Sequence, residues 1–188
     1  MRTKDETKAQ DILQATLDEV RDVGLAGLSV EAVARRAGVA TGTVYVYFKG
    51  KDALLDQLYL RTKQKFATQV LRDDGGPIRA AFTRMTIAYV DYVIENAAEL
   101  VFMSQMANSP YLTAETREQA AIGLRPLAAL LERGKAEHLL KDIDTGWMAT
   151  FLYETVKSMA PLARGLPPER YREFQETVAT LCWDALKA

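Results

Sequence analysis

The sequence predicts an all-α protein of about nine helices. Apolar residues recur at spacings of three and four through nearly every segment. The breaks between those segments fall on Gly, Asn, Asp and Pro clusters. No run alternates apolar and polar residues beside hairpin turn chemistry, so no strand is expected.

The first helix is expected over about 7–24, with Ala9, Ile12, Leu13, Leu17, Val20 and Val23 on its apolar face. Gly24 suits a left-handed terminating position, free of the Cβ penalty. Ser29 is the expected N-cap of a short helix through Ala37, with Glu31 near its positive end. A full capping box is missing, because Ala32 stands where Glu or Gln would close it. Gly38 stops that helix, and another starts near Thr41, whose hydroxyl could cap it. A long helix follows from Lys51 or Asp52 to about Leu71. Asp73-Asp74-Gly75-Gly76 reads as a turn, and Pro77 suits the first turn of a helix over about 77–94. Further helices are expected over about 97–107, 113–136, 143–164 and 168–186. Pro126 and Pro161 can kink or split two of them.

Composition sets bounds on function. Of the 188 residues, 48% are hydrophobic and 26% charged, and the formal net charge is −1, as in an ordinary globular protein. Residues 1–65 hold 11 Lys/Arg against 9 Asp/Glu, a mild basic excess that permits an anionic partner on that side. One cysteine, Cys182, and one histidine, His138, give neither an internal disulfide nor a metal site. GxSxG, P-loop, HExxH and GxGxxG patterns are missing, so neither an enzyme nor a cofactor is expected. The polar start MRTKDETKAQ and the lack of a long apolar run predict no membrane segment and a cytoplasmic location.

Residues 29–48 carry the sharpest signal. Two short helices joined by Ala37-Gly38-Val39-Ala40 form a helix-turn-helix candidate. At a helical step of about 100° per residue, Val44 and Phe48 share an inward face. The opposite face holds Val46 between Gly42 and Thr43, and Tyr45 and Tyr47 flank it. Such a small face fits a major groove, where a Thr hydroxyl meets base edges and a Val methyl meets a thymine methyl. The tyrosine hydroxyls and Lys51, with Lys49 beside it, are placed to donate to backbone phosphates. Arg35 and Arg36 either reach phosphate or form a solvated basic face. A rim of half-buried tyrosines in a bundle, or a helical carrier without DNA binding, would also fit the bare helix pattern.

The block from Leu28-Ser29-Val30 through ARRAGVATGTVYVYFKGKDALL resembles the DNA-binding region of the tetracycline-repressor (TetR) family. The carrying residues are Gly38-Val39, Gly42-Thr43-Val44-Tyr45, Tyr47-Phe48, and Lys51 followed by Leu54-Leu55. Two departures are small. Val33 stands where the family often has Ile, and Tyr47 where it often has His.

The resemblance implies a three-helix DNA-binding domain over residues 1–50 and a helical ligand-binding and dimerisation domain over 51–188. It implies a homodimeric repressor bound to a palindromic double-stranded operator and released by a small effector. It places Tyr45, Tyr47 and Lys51 at phosphates, Thr41, Gly42 and Thr43 near bases, and Ser29 at a backbone-contacting helix start.

In the larger domain, the Met and aromatic stripes suggest an adaptable apolar cavity for a hydrophobic or aromatic effector. Tyr89, Tyr92, Phe102, Met103, Met106, Trp147 and Phe151 are the expected lining. Tyr171, Phe174, Val178, Leu181 and Ala185 form a seam that can pack within the chain or against a second copy. The resemblance favours the second copy, through the helices at about 143–164 and 168–186. Cys182, beside the seam, reads as a small buried hydrophobe.

Overall fold

The computed structural model describes residues 2–72 and 75–188, with side chains from residue 6 onward. The expected Asp73-Asp74 turn lies outside the described residues, as do the side chains of Arg2 and Lys4 in the polar start, which could reach DNA. Ten α-helices and no strand occur among the described residues. Expectation and structure differ mainly where proline splits a span. The helices group into two units, one holding residues up to 64 and 98–120, the other 65–97 and 121–188.

In the first unit, α1 (Arg2–Gly27) is broken at Gly24, where φ is 74°. The positive φ expected of this glycine is present, but with ψ 173° it lies in the extended, glycine-only region rather than in αL, and the helix resumes as far as Gly27. Its inward face is Ile12, Leu13, Leu17 and Val20, all buried, whereas Val23 is 49% exposed and leaves the stripe. Helix α2 (Val30–Arg36) buries Val30, Ala32, Val33 and Ala34. Helix α3 (Thr41–Tyr47) buries Val44 alone. Helix α4 (Lys51–Val70) contributes Leu54, Leu55, Leu58 and Tyr59 to this core. Helix α6 (Ala97–Ala107) adds Phe102, whose ring meets Tyr59 edge-on with centroids 6.5 Å apart.

One expectation about capping is corrected. The N-cap of α3 is Ala40, and it makes no side-chain cap bond. Thr41 is already the first helical residue, so its hydroxyl does not cap. The backbone carbonyl of Ala40 instead accepts from the Thr43 N–H at 2.8 Å.

In the second unit, α5 (Ile78–Glu95) is buried along much of its length, from Ile78 to Val93. The expected helix over 113–136 is two, α7 (Ala114–Ile122) and α8 (Arg125–Ala136), the first lying almost wholly in the first unit. Pro126 sits in the first turn of α8, where a missing N–H costs no helical bond. Likewise α9 (Thr145–Met159) stops short of Pro161, which lies in a 3₁₀ turn over Ala160–Ala163. Helix α10 (Pro168–Leu186) packs on α5: Trp183 meets Phe82 edge-on at 5.3 Å, and Asp91 accepts from both Tyr171 and Gln175 at 2.7 Å.

The turn from α8 to α9 depends on a close approach. A Cβ on Gly134 would stand 2.4 Å from Leu140 Cδ1 and 2.7 Å from its Cγ. The Gly134 carbonyl accepts from the Leu140 N–H at 3.1 Å, which holds that side chain in place.

Candidate nucleic-acid interface

The turn between α2 and α3 ends the first helix in a defined way. Gly38 has φ 68°, and its N–H donates to the Arg35 carbonyl at 3.3 Å. The Val39 N–H donates to the Ala34 carbonyl at 3.0 Å. These two bonds satisfy carbonyls that the end of α2 would otherwise leave open, in the Schellman pattern. At the other end of α2, Ser29 Oγ accepts from the Ala32 N–H at 3.2 Å. That bond uses the hydroxyl as an acceptor and leaves its proton available to donate.

Arg36 fixes α2 to α1. Its Nε donates to Glu19 at 2.9 Å and its Nη2 to Asp22 at 2.7 Å. The Arg36 guanidinium holds the Asp22 carboxyl below the usual range, with Arg21 adding to the effect. Arg36 remains on the exposed side of α2, with its guanidinium engaged by Glu19 and Asp22. Arg35 is exposed. The clamp escaped the sequence reading, although Glu19 and Asp22 stand three residues apart on one helix side.

Helix α3 is thus held from behind and presents a low surface. Val44 is fully buried and Phe48 is 7% exposed, while Val46 is 80% and Tyr45 52% exposed. Gly42 is exposed, with nothing within 4 Å of where a Cβ would stand. Thr41, Thr43 and Tyr47 are half-buried. Phe48 ends the helix in extended backbone, and its ring lies 6.4 Å from that of Tyr47. Lys49 is exposed. Lys51 is half-buried and already engaged: its Nζ donates to the Ala26 carbonyl at 3.0 Å and lies 5.0 Å from the Tyr111 ring centroid. Nothing in the sequence pattern links positions 26, 51 and 111.

A helix pair with its cap, turn and small outward face in these positions can be set beside known proteins. The model of bacterial regulatory proteins of the tetR family matches residues 12–58. A tetracyclin repressor-like C-terminal domain matches residues 59–188. The chain belongs to the TetR family.

The TetR-family assignment places the chain among transcriptional regulators rather than enzymes. The HTH-type transcriptional regulator BetI 1 of Chromohalobacter salexigens is 45% identical over 49 residues, 26% of this chain and 24% of that protein. An HTH-type regulator of Haemophilus influenzae is 38% identical over 73 residues, 39% of each chain. The chain therefore spans well under half the length of these curated relatives. A TetR-family regulator from Marinobacter aquaeolei shares the fold over 100% of this chain and 99% of its own, with TM-score 0.89 and 22% identity. One from Shewanella covers 96% and 98%, with TM-score 0.83 and 27% identity.

The residues expected to line an effector cavity separate into three groups. Phe102, Met103 and Met106 are buried in the first unit. Tyr89 and Tyr92 are buried in the second, where Phe66 meets both edge-on at 5.1 and 5.2 Å. Tyr153 stacks on Tyr89 at 5.7 Å, and its backbone carbonyl accepts from the Tyr89 hydroxyl at 3.2 Å. Burial holds the Tyr89 hydroxyl firmly protonated. Phe66 and Tyr153 were not anticipated. Trp147 and Phe151 are not brought into either buried group, being 73% and 40% exposed on α9. An open depression of about 700 Å³ on the second unit is lined by Glu132, Lys135, His138 and Lys141 among others, and none of the seven expected residues borders it.

The α10 seam also divides. Val178 and Cys182 are fully buried, and Tyr171 is tied to Asp91. Leu181 remains 51% exposed, and Ala185 is exposed as well. Burial pushes the Cys182 thiol up to about 11, consistent with a packed rather than a reactive sulfur. Among the described residues, no group of His, Cys, Asp and Glu could hold a metal, and no helix is long and apolar enough to cross a membrane.

Proposed function

We propose that the chain is a cytoplasmic, ligand-responsive repressor that binds a palindromic double-stranded operator as a homodimer. The observation that carries the reading is α3, whose buried Val44 and Phe48 leave Gly42, Thr43 and Val46 as a small outward face. Thr41, Gly42 and Thr43 lie against base edges. Tyr45, Tyr47, Lys51 and the free proton of Ser29 donate to phosphates on the groove walls. The DNA-binding domain covers residues 1–50, and effector binding and dimerisation belong to 51–188.

The dimer forms through α9 and α10. Trp147 on α9 and Leu181 on α10 are 73% and 51% exposed, and Leu162, in the 3₁₀ turn between them, is 72% exposed, an apolar surface that water covers poorly. The effector is small and hydrophobic or aromatic, and the buried Tyr89 and Tyr92, with Phe66 and Tyr153, favour a site in the second unit. Effector binding acts through α4, which starts just after α3 and continues into the second unit. Coupling of ~1–3 kcal/mol would weaken operator binding about 5- to 150-fold.

Selection of bound duplexes from a random DNA pool tests the reading. The expected result is a palindrome bound with a steep negative dependence of log affinity on log salt. No enrichment, with no binding even at low salt, would overturn it.

A further inference from the structure

Lys51 is the first residue of α4, where the helix's positive end disfavours a cation. Two groups of the same unit offset that. The Ala26 carbonyl lies beyond the Gly24 break in α1, and Tyr111 lies in the link between α6 and α7. The ammonium has three N–H donors. Ala26 accepts one, the ring face attracts the charge without using a lone pair, and protons remain for a phosphate oxygen.

We propose that Tyr111 is a positioning residue for DNA binding. Its ring and the Ala26 carbonyl hold the Lys51 ammonium at the start of α4, which removes rotamer freedom the lysine would otherwise lose on meeting a phosphate. The α6–α7 link thereby contributes to operator affinity without touching DNA. The inference rests on Lys51 as a backbone contact.

The test is a double-mutant cycle on the full chain, with the selected operator duplex as probe and affinity measured across salt. Lys51→Met alone examines the underlying reading. It should weaken binding and reduce the salt slope by about 0.9 for the lost phosphate contact. Tyr111→Leu should weaken binding about two- to fivefold, the scale of a cation–π contact at a partly exposed site. Tyr111→Phe should restore it, since the ring face is kept. In the Lys51→Met background, Tyr111→Leu should cost nothing further, and thermal melts of all variants give the control for folding. An equal cost of Tyr111→Leu in both backgrounds would overturn the positioning role while leaving the Lys51 contact intact. An unchanged salt slope in Lys51→Met would overturn both.

Discussion

Helices α3 and α9 both hold apolar side chains out to water, yet the two exposed faces differ in size and polarity. On α3 the most exposed apolar residue is Val46, at 80%, and its neighbours on that face are Gly42 and Thr43. Hydroxyl groups stand at both edges, on Tyr45 and Tyr47. On α9 the exposed large apolar residues are Trp147 and Phe151, one turn apart, followed by Leu162 in the 3₁₀ turn. A small face rimmed by donors suits a polar groove with phosphate walls. Large rings in succession suit a second protein surface, where aromatic anchors dominate the energy. Exposure alone does not separate these roles; side-chain size and the polar rim do.

The largest expected effect lies on α9. Trp147→Ala should loosen the dimer by about 30-fold or more, the scale of a central interface anchor. Sedimentation velocity across protein concentration reads this directly. Because Trp147 is so exposed in the chain, its melting as a monomer should hardly change. A dimer of unchanged strength would move the interface off α9 and dissolve the contrast with α3.

Next is Gly42→Ala. No atom lies within 4 Å of the added methyl, and an alanine in a helix is favoured over glycine by roughly 0.5–1 kcal/mol. The chain should therefore melt slightly higher. If α3 lies in a groove with Gly42 near the bases, the same methyl should weaken operator binding about tenfold, a base-contact scale. Undiminished affinity would remove Gly42 from the reading face. A smaller, more uniform loss is expected from Tyr47→Phe, which removes one phosphate donor and should cost all operator variants alike.

Much of this was legible in the sequence, for a physical reason. The α2–α3 unit is local: Ser29, Gly38 and Val44 act on residues within a turn or two, so spacing alone reveals their work. The helix breaks at Gly24 and Gly38 were visible for the same reason. Three features were not. Arg36 meets Glu19 and Asp22, and Lys51 meets Ala26 and Tyr111, across distances in sequence that no periodicity encodes. The aromatic stripes could not reveal which side of α9 faces the core. Met148 and Leu152 are buried and Trp147 and Phe151 exposed, yet all four are apolar. Hydrophobicity marks a buried side but cannot say whether its own chain or another molecule buries it.

Helix α10 allows that last distinction to be measured at adjacent residues. Cys182 is fully buried within the chain, whereas Leu181 is 51% exposed. The native thiol should resist alkylation at neutral pH in both monomer and dimer, because burial keeps it protonated, with its pKa pushed up to about 11. The neutral thiol's contribution to stability is complete below the unfolded cysteine value, near 8.5. It is lost as pH rises toward about 11, since only the unfolded chain ionises freely in that window. In a Cys182→Ala background, Leu181→Cys should behave oppositely, reacting quickly in dilute monomer and slowly as concentration drives dimer formation. Equal reactivity at both concentrations would place Leu181 outside the interface, leaving α9 to carry the dimer alone.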